Sequence, residues 1–363
     1  MEDLERMKSV FWLNKSVFIT GHTGFKGGWL SLWLNLMGAN VHGYSLDPKS
    51  VPSLFNVADI AAAIASDVHA DLMDLGELKS ALKLANPEII FHLAAQSLVR
   101  HSYVNPLETF STNIIGTANL LEAVREVTSV RAIVVVTTDK VYENFGKKTV
   151  RKENDSLGGR DPYSASKAAT EIITASYRSS FYATRGGHPA QIATARAGNV
   201  IGGGDWATDR LLPDCLRSFS TSEPVKLRYP GSIRPWQHVL EPLSGYLNLG
   251  QELLSKSGKN FAKAWNFGPN KSDCATVNNV VEKVAHLWGI EANIEIEALE
   301  NIPHEASTLE IDSELAKKEL DWCPQWNLDQ ALDNTVTWYQ KWLKGAKMKS
   351  VCEEQIKAYT LTK

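Results

Sequence analysis

The feature that most constrains the fold is a regular alternation of short apolar strands with helical patterns over roughly the first 200 residues. Strands that alternate with helices predict βαβ units and a parallel sheet with helices on both faces. Strands that are apolar throughout are typical of burial on both sides. The predicted strands are 16–20, 40–46, 88–95, 131–138 and 191–200, and the predicted helices are 27–38, 75–85, 105–127 and 164–183.

The sequence pattern changes after about residue 200, where Gly- and Pro-rich segments with little periodicity precede short helical patterns. We therefore expect an α/β fold in which a Rossmann-type, doubly wound parallel sheet is followed by a smaller, mixed α/β C-terminal substrate lobe. The expected units are the Rossmann-type domain at 1–198 with a returning strand near 264–268, the smaller lobe at 199–345, and a polar, loosely ordered tail at 346–363.

The composition restricts the kinds of binding partner and the cellular compartment that can be expected. The chain has 363 residues and a net charge of −3, which gives no reason to expect nucleic acid or an anionic membrane as a partner. Four scattered cysteines without a CxxC pair, no long apolar run and a charged start without a signal core favour a cytoplasmic protein. Nine histidines without HxH or HExxH spacing predict no metal site.

A glycine-rich turn, "FITGHTGFKGGWL", joins the first strand to the first helix. Its glycines Gly21, Gly24 and Gly27 have the spacing GxxGxxG, which allows a tight turn and close approach of the backbone to a pyrophosphate at the helix N-terminus. The alternative is a flexible connection without a ligand. At the end of the second strand, Ser45 stands where a cofactor ribose is usually bound, and the absence of Arg or Lys there favours NAD over NADP.

Two further patterns carry chemistry. Tyr163 and Lys167 in "DPYSASKAATE" are four residues apart, so on a helix both face the same cleft, and a nearby cation lowers the pKa of a phenol. The apolar strand that ends at Val136 runs into Thr138, Asp139 and Lys140, two of which can exchange protons with a substrate. The alternatives are a surface Tyr–Lys pair and an ordinary polar strand end.

Together these segments resemble a known family. The motifs TGxxGxxG at 20–27, "HLAAQS" at 92–97, YxxxK at 163–167 and "RAGNVIGGG" at 196–204 resemble the extended short-chain dehydrogenase/reductases over about residues 14–343. Within that family, "GHTGFKGGWL", "TTDKVYEN" and "RPWQHVLEPLSGYL" are most similar to the CDP-glucose 4,6-dehydratase branch. The resemblance implies an NAD-dependent internal redox reaction of a nucleotide sugar, with loss of water.

The resemblance also implies roles for individual residues. Tyr163 would deprotonate the carbon 4 hydroxyl with help from Lys167, Thr138 would bind the carbon 4 oxygen, and a protonated Asp139 would protonate the leaving hydroxyl. Many relatives have Glu after this Asp, so Lys140 leaves the base for the carbon 5 proton open: it is Lys140 itself, or another group while Lys140 stabilises an enolate. The cofactor-binding set is Gly21, Thr23, Gly24, Phe25, Lys26, Gly27, Ser45, Asp71, Leu72, Leu93, Ala94, Ala95, Tyr163 and Lys167.

The nucleotide sugar needs local cations because the chain as a whole is not basic. Arg234 is the leading pyrophosphate ligand, since a planar guanidinium suits phosphate. The substrate-binding set is Ser97, Asn199, Arg210, Leu211, Arg234 and His304.

The hypotheses from this reading are a dehydratase acting on CDP-glucose, another dehydratase or epimerase of nucleotide sugars, and a non-catalytic nucleotide-binding protein. The resemblance further implies a homodimer or a tetramer built through helices 105–127 and 164–183, and a place in the synthesis of deoxysugars for O-antigen and lipopolysaccharide.

Overall fold

The protein is built on a central parallel sheet. The computed structural model describes residues 10–144, 149–182, 186–291, 293–296 and 310–362. Within these ranges seven strands form one sheet in the order β12-β7-β5-β4-β1-β2-β3, and every neighbouring pair is parallel. The sheet strands are β1 (Ser16–Thr20), β2 (Asn40–Ser45), β3 (Ser66–His69), β4 (Ile89–His92), β5 (Ala132–Val136), β7 (Gln191–Ala197) and β12 (Ala264–Phe267).

The helices pack on both faces of this sheet. One apolar core joins the sheet to the first helix and to C-terminal helices, and a second core fills the opposite face. The α-helices are α1 (Phe25–Leu36), α2 (Leu54–Val57), α3 (Leu75–Ala85), α4 (Val99–Val104), α5 (Pro106–Phe110), α6 (Gly116–Val124), α7 (Pro162–Ser180), α8 (Leu211–Thr221), α9 (Leu240–Leu253), α10 (Val277–Trp288), α11 (Glu314–Leu320), α12 (Leu328–Leu343) and α13 (Met348–Thr360). The predicted Rossmann-type fold is confirmed.

Strand order reverses between β1 and β4, which lie side by side although β2 and β3 come between them in the chain. In open α/β sheets ligands bind at the carboxyl ends of the strands beside such a reversal. The two strand ends are joined there, because the backbone N–H of Leu93 donates to the carbonyl of Thr20 at 3.0 Å. The fold therefore places the glycine turn and the segment after β4 on one crevice.

The predicted strands and helices are present, with small differences at their ends. The strand expected near 264–268 is β12, which pairs with β7. Strand β3 was not predicted from the sequence "SDVH", because it is an edge strand whose residues alternate between half-buried and exposed positions. The long helix expected at 105–127 contains a π-helical turn at Ser111–Ile115 between α5 and α6.

The C-terminal segment differs from the expected loose tail. Residues Met348–Thr360 form α13, and its buried side chains recur at helical spacing, so the helix has an apolar face despite its polar composition. Tyr359 packs edge-on against Trp33 with ring centroids 5.6 Å apart, and its hydroxyl donates to Glu241 at 2.7 Å. The expectation of a loosely ordered tail was wrong. The helix was hard to predict because the apolar residues that anchor it are few and are separated by charged residues.

The other strands form short pairs that are separate from the main sheet. These strands are β6 (Val150–Arg151), β8 (Val200–Ile201), β9 (Val225–Leu227), β10 (Ile233–Pro235), β11 (Gln237–His238), β13 (Cys274–Thr276), β14 (Ile294–Ile296) and β15 (Glu310–Ile311), and they pair as β6–β15, β8–β11, β9–β14 and β10–β13. None of the helices in the described ranges combines the length and apolar character that a membrane span needs.

Candidate active site

The end of β5 carries a buried polar cluster. Thr137, Thr138 and Asp139 are all less than a tenth exposed, and Asp139 opens a single 3₁₀ turn that Thr138 caps. The hydroxyl of Thr138 donates to Oδ1 of Asp139 at 3.0 Å. If these polar residues were simply a solvent-facing strand end, they would be exposed. Their burial shows that they belong to the interior of the protein.

One carboxylate oxygen of the buried Asp139 side chain lacks a hydrogen-bond partner among the described residues. This atom is Oδ2, and it is itself buried. Burial raises the pKa of Asp139, although the nearby charges of Lys140, Arg234 and Lys26 and the hydrogen bond from Thr138 oppose this shift. The carboxyl packs close to Gly198, where an added Cβ would lie 2.9 Å from Oδ2. A raised pKa favours the protonated acid that elimination chemistry needs.

Tyr163 and Lys167 lie on the first turns of α7, which begins at Pro162 with Asp161 as its N-cap. Both side chains are buried, and Nζ of Lys167 donates to the carbonyl of Val136 at 3.1 Å. Burial lowers the pKa of Lys167 to about 8, and Glu171 opposes this shift. The helix thus brings both groups to the end of β5, beside Thr138 and Asp139.

The pKa of Tyr163 differs from the expectation. Burial raises it to about 12, the hydrogen bond with Thr138 and the charge of Arg210 lower it, and Asp139 raises it. The lowering of this pKa that was expected from Lys167 does not occur; Arg210 is the cation that acts on the phenol, and burial outweighs it. Positive charge added near the phenol would favour its ionised form.

A buried ion pair supports this end of the sheet. Glu171 lies one helical turn beyond Lys167, and its carboxylate accepts hydrogen bonds from Thr137 at 2.5 Å and from Thr194 at 2.6 Å. Arg196 on β7 donates to both carboxylate oxygens. We did not predict this pair, although the spacing of four residues after Lys167 places Glu171 on the same face of α7.

The glycine turn has the shape that a dinucleotide requires. Gly21 has φ +80°, and an added Cβ there would lie 2.6 Å from the backbone nitrogen of Ala94. A Cβ at Gly27 would collide with the carbonyl oxygen of Gly21. Helix α1 begins at Phe25, its N-cap Gly24 provides no side-chain cap, and its first turn has no acid, so its N-terminus is available to an anion. The residues present therefore fit the pyrophosphate of NAD.

Another residue of the expected cofactor set connects the glycine turn to β2. Thr23 forms a hydroxyl–hydroxyl hydrogen bond of 2.8 Å with Ser45 and donates to the carbonyl of Leu46 at 2.9 Å. These contacts join the glycine turn to the end of β2. The other members lie after β4, in the loop before α3 or at the start of α1, and are Leu93, Ala94, Ala95, Asp71, Leu72 and Phe25.

Lys26 lies closer to the catalytic cluster than its place in the glycine turn suggested. Burial lowers its pKa to about 7, with Arg210 and Lys167 acting in the same direction and Asp139 opposing them. Its Nζ lies 6.0 Å from the ring centroid of Tyr246, a buried tyrosine whose hydroxyl has no hydrogen-bond partner in the described ranges. Sequence reasoning missed Tyr246, which comes from α9 and has no motif of its own.

The expected substrate residues form two groups. Arg210 donates to Ser97 at 3.0 Å and to Asp205 at 2.8 Å, which joins the segment after β4 to the start of α8, where Leu211 lies. Arg234 on β10 is buried and close enough to Asp139 to affect its pKa.

Asn199 and His304 are the other members of the expected substrate set. The carbonyl of Asn199 accepts from the backbone of Gln237 at 3.1 Å. His304 lies outside the described residues.

Comparison with known proteins identifies the family. A family model described as GDP-mannose 4,6 dehydratase matches residues 18–187. The chain is 47% identical to a CDP-glucose 4,6-dehydratase of Salmonella typhimurium, across 96% of this chain and 97% of that protein. It is 25% identical to a dTDP-glucose 4,6-dehydratase of Xanthomonas campestris, across 90% and 94% of the two chains.

A solved structure is similar over nearly the whole chain. The dTDP-glucose 4,6-dehydratase of Bacillus anthracis in complex with NAD superimposes with a TM-score of 0.75 and 25% identity, across 93% of this chain and 99% of that one. The chain belongs to the nucleotide-sugar 4,6-dehydratase family within the extended short-chain dehydrogenase/reductases.

Proposed function

We propose that the protein is an NAD-dependent hydro-lyase that converts CDP-D-glucose to CDP-4-dehydro-6-deoxy-D-glucose and water. The 47% identity to a CDP-glucose 4,6-dehydratase over nearly the full length of both chains supports the substrate. Bound NAD would accept a hydride from carbon 4 of the sugar and return it to carbon 6. No external oxidant or reductant is consumed, and the lost atoms leave as one water molecule.

The observation that carries this proposal is the buried carboxyl of Asp139 beside Thr138, at the end of the strand that also faces Tyr163 and Lys167. A dehydrogenase or an epimerase needs the hydroxyl, the phenol and the ammonium, but it has no use for a protonated acid at this position. Elimination needs such an acid, because hydroxide is a poor leaving group unless it is protonated as it departs.

Each residue of the cluster has a proposed step. Tyr163 takes the proton of the carbon 4 hydroxyl, and the charge of Arg210 and the hydrogen bond with Thr138 favour the phenolate. Lys167, four residues further along the same helix, holds the substrate and cofactor end of the site in place. Thr138 holds the carbon 4 oxygen. Once carbon 4 is a ketone, the proton on carbon 5 becomes acidic, and Asp139 protonates the hydroxyl that leaves carbon 6.

The base for the carbon 5 proton has two candidates. Lys140 is half-buried and its charge reaches Asp139, so it lies beside the acid that acts in the same elimination. In one version neutral Lys140 removes the proton; in the other protonated Lys140 stabilises the enolate oxygen and a different group takes the proton. Lys140→Gln abolishes both roles, whereas Lys140→Arg retains only the cationic role.

The nucleotide diphosphate is proposed to lie against Arg234 and Arg210. Arg234 comes from β10 and its charge reaches Asp139, while Arg210 donates a hydrogen bond to Ser97. Guanidinium groups suit phosphate oxygens through paired hydrogen bonds. Asn199, Leu211 and His304 complete the proposed contacts.

We also propose a cytoplasmic homodimer or tetramer that supplies deoxysugars for O-antigen and lipopolysaccharide. Exposed apolar side chains on the helices expected at the interface support the assembly: Leu107, Ile115 and Ile172 are 79%, 48% and 59% exposed. Burial of such residues between copies is favourable.

The test of the function is an assay of purified protein with CDP-glucose and NAD, beside dTDP-glucose, GDP-mannose and UDP-glucose. We expect loss of one water molecule from CDP-glucose, without net NADH. Water loss from another nucleotide sugar alone would identify another dehydratase, and net NADH without water loss would identify a dehydrogenase. Binding of the sugar nucleotide without turnover would favour the non-catalytic alternative.

A further inference from the structure

Three side chains that no catalytic step uses meet at the edge of the sheet. His22 lies in the glycine turn, and Asp67 and His69 lie on the edge strand β3. Nε2 of His22 is 2.7 Å from Oδ1 of Asp67, and Nε2 of His69 is 2.9 Å from the same oxygen. The three potential ligand atoms all lie within 4.8 Å of one another. Two imidazoles therefore converge on a single carboxylate oxygen.

The backbone holds this cluster in place. Residues two apart on a strand share a face, so β3 presents Asp67 and His69 together. The ring of His22 is fully buried and lies so close to Gly43 on β2 that any Cβ there would collide with it. Phe55 contacts the other side of the ring edge-on, with centroids 5.5 Å apart. The imidazole of His22 is thus fixed before any ligand arrives.

The protonation state of His22 decides whether its Nδ1 atom has a hydrogen-bond partner. If Nε2–H donates to Asp67, Nδ1 is an unprotonated acceptor, and this atom is buried without a hydrogen-bond partner in the described ranges. If instead Nε2 offers its lone pair to a cation, Nδ1 carries the proton, and the carbonyl of Tyr44 is the backbone acceptor beside it. The orphan nitrogen therefore favours the tautomer that binds a metal ion.

His69 has the environment that metal-binding histidines usually have. Its Nε2 faces Asp67, and its Nδ1 is hydrogen-bonded to the carboxylate of Asp47. Histidine ligands almost always donate their other ring N–H to a carboxylate or carbonyl, which fixes the tautomer and raises ligand basicity. Asp47 would play this part while remaining outside the coordination shell.

We propose that Nε2 of His22, the carboxylate of Asp67 and Nε2 of His69 bind one divalent first-row transition ion, with zinc as the first candidate and water as the fourth ligand. Imidazole and carboxylate are ordinary zinc ligands. Tetrahedral zinc places its ligands about 3.3 Å apart, so the two contacts of 2.7 and 2.9 Å must open by about half an ångström. The side chains of Asp67 and His69 are 25% and 32% exposed, which leaves room for the water.

The bound ion would have a structural role. It would tie the glycine turn to β3, a strand that has β2 as its only neighbour in the described sheet. Sequence reasoning predicted no metal site because it searched for ligands at close spacing, whereas these ligands come from segments more than 40 residues apart, as His22 and Asp67 show (|i−j| = 45).

The test is calorimetric titration of tag-free, chelator-treated protein with Zn²⁺, beside the visible spectrum of the Co²⁺ form. We expect one ion per chain, the intense bands of tetrahedral Co²⁺, and a higher unfolding temperature with zinc. Asp67→Asn and His69→Gln should abolish this binding, and Asp47→Asn should weaken it about 10- to 100-fold. His42→Gln is the matched control, because His42 contacts Ser66 at the same sheet edge but belongs to no ligand set.

Metal binding that is unchanged in both His69→Gln and Asp67→Asn would overturn the proposal, as would no binding by the wild type or only the weak bands of octahedral Co²⁺. Circular dichroism of each variant establishes that it is folded, and the wild-type cobalt spectrum decides the question even if a variant is not. Because the readouts do not use activity, the result is independent of the proposed reaction.

Discussion

The guanidinium of Arg196 donates two hydrogen bonds to the carboxylate of Glu171, at 2.9 and 2.8 Å, in the interior of the protein. Arg196 and Glu171 are 3% and 4% exposed. The same carboxylate accepts from Thr137, the residue before Thr138, and thereby connects α7 with the ends of β5 and β7. This pair holds together the elements that carry the side chains proposed for catalysis.

Replacement of Arg196 by methionine should destabilise the fold strongly. The change leaves the buried Glu171 carboxylate without its cation, and breaking a buried pair in this way typically costs about 3–5 kcal/mol in the free energy of unfolding. Urea denaturation measures the loss. Arg125→Met is the matched control, because the Arg125–Glu122 pair is solvent-exposed and should matter little. Equal, small effects of both substitutions would contradict a supporting role for the buried pair.

Asp139→Asn should slow water loss more than oxidation of the sugar. An amide cannot protonate the leaving hydroxyl, and loss of a general acid typically reduces a rate by about 10²- to 10⁴-fold. Stopped-flow absorbance should therefore show NADH accumulating during a single turnover, before slow elimination. If the variant keeps the wild-type rate of water loss, Asp139 is not the acid.

The same substitution should change how stability depends on pH. Burial raises the pKa of Asp139, so between its ordinary and raised values the folded state binds more protons than the unfolded state. The free energy of unfolding therefore falls as the pH rises through this window. Asp139→Asn removes this loss, so its stability relative to wild type should increase from acidic to neutral pH. Urea melts across that range measure the difference, and a difference that does not vary with pH would contradict the raised pKa.

Gly27→Ala should impair cofactor binding. The added methyl group would collide with the carbonyl of Gly21, and relief of such a collision typically costs about 1–3 kcal/mol. The displaced turn would no longer present its backbone to the pyrophosphate, so we expect at least tenfold weaker NAD binding by fluorescence titration. At Gly231 an added Cβ meets nothing within 4 Å, and Gly231→Ala should bind NAD like wild type. Equal affinities of the two variants would argue against this turn as the cofactor site.

Tyr359→Phe tests the packing of the C-terminal helix. The phenol donates to the buried carboxylate of Glu241, and a hydrogen bond to a charged group contributes about 1.5–3 kcal/mol to stability. Chemical denaturation should show a loss of that size. Thr360→Val is the control, because the Thr360 hydroxyl donates to the carbonyls of Ile356 and Lys357 within α13 itself. A Tyr359→Phe protein as stable as wild type would mean that α13 contributes little to the fold.

Local patterns in the sequence predicted most of the fold and indicated the residues that are now proposed for the chemistry. Tyr163 and Lys167 were found because a helix repeats every 3.6 residues, so two side chains four apart must share a face. The glycine turn was found because glycines at this spacing indicate a tight turn of the backbone. In both cases the residues that belong together are only a few positions apart in the sequence.

The relationships that were missed join distant segments. Arg196 meets Glu171 only because β7 lies beside β5, and His22 meets Asp67 only because β3 is the edge strand next to β2. The pKa of Tyr163 was misjudged because burial, which depends on the whole fold, outweighs the neighbouring cation. Helix α13 was missed because its apolar residues are sparse, although their spacing is helical.

The most direct test of the central claim is a turnover with CDP-glucose that carries deuterium at carbon 4, followed by mass spectrometry and NMR of the product. We predict that the deuterium is recovered at carbon 6 of a 4-keto-6-deoxy sugar, that carbon 5 acquires a proton from solvent, and that NAD is unchanged overall. Deuterium recovered in NADH, with the carbon 6 hydroxyl retained, would contradict the internal redox reaction and the role of Asp139.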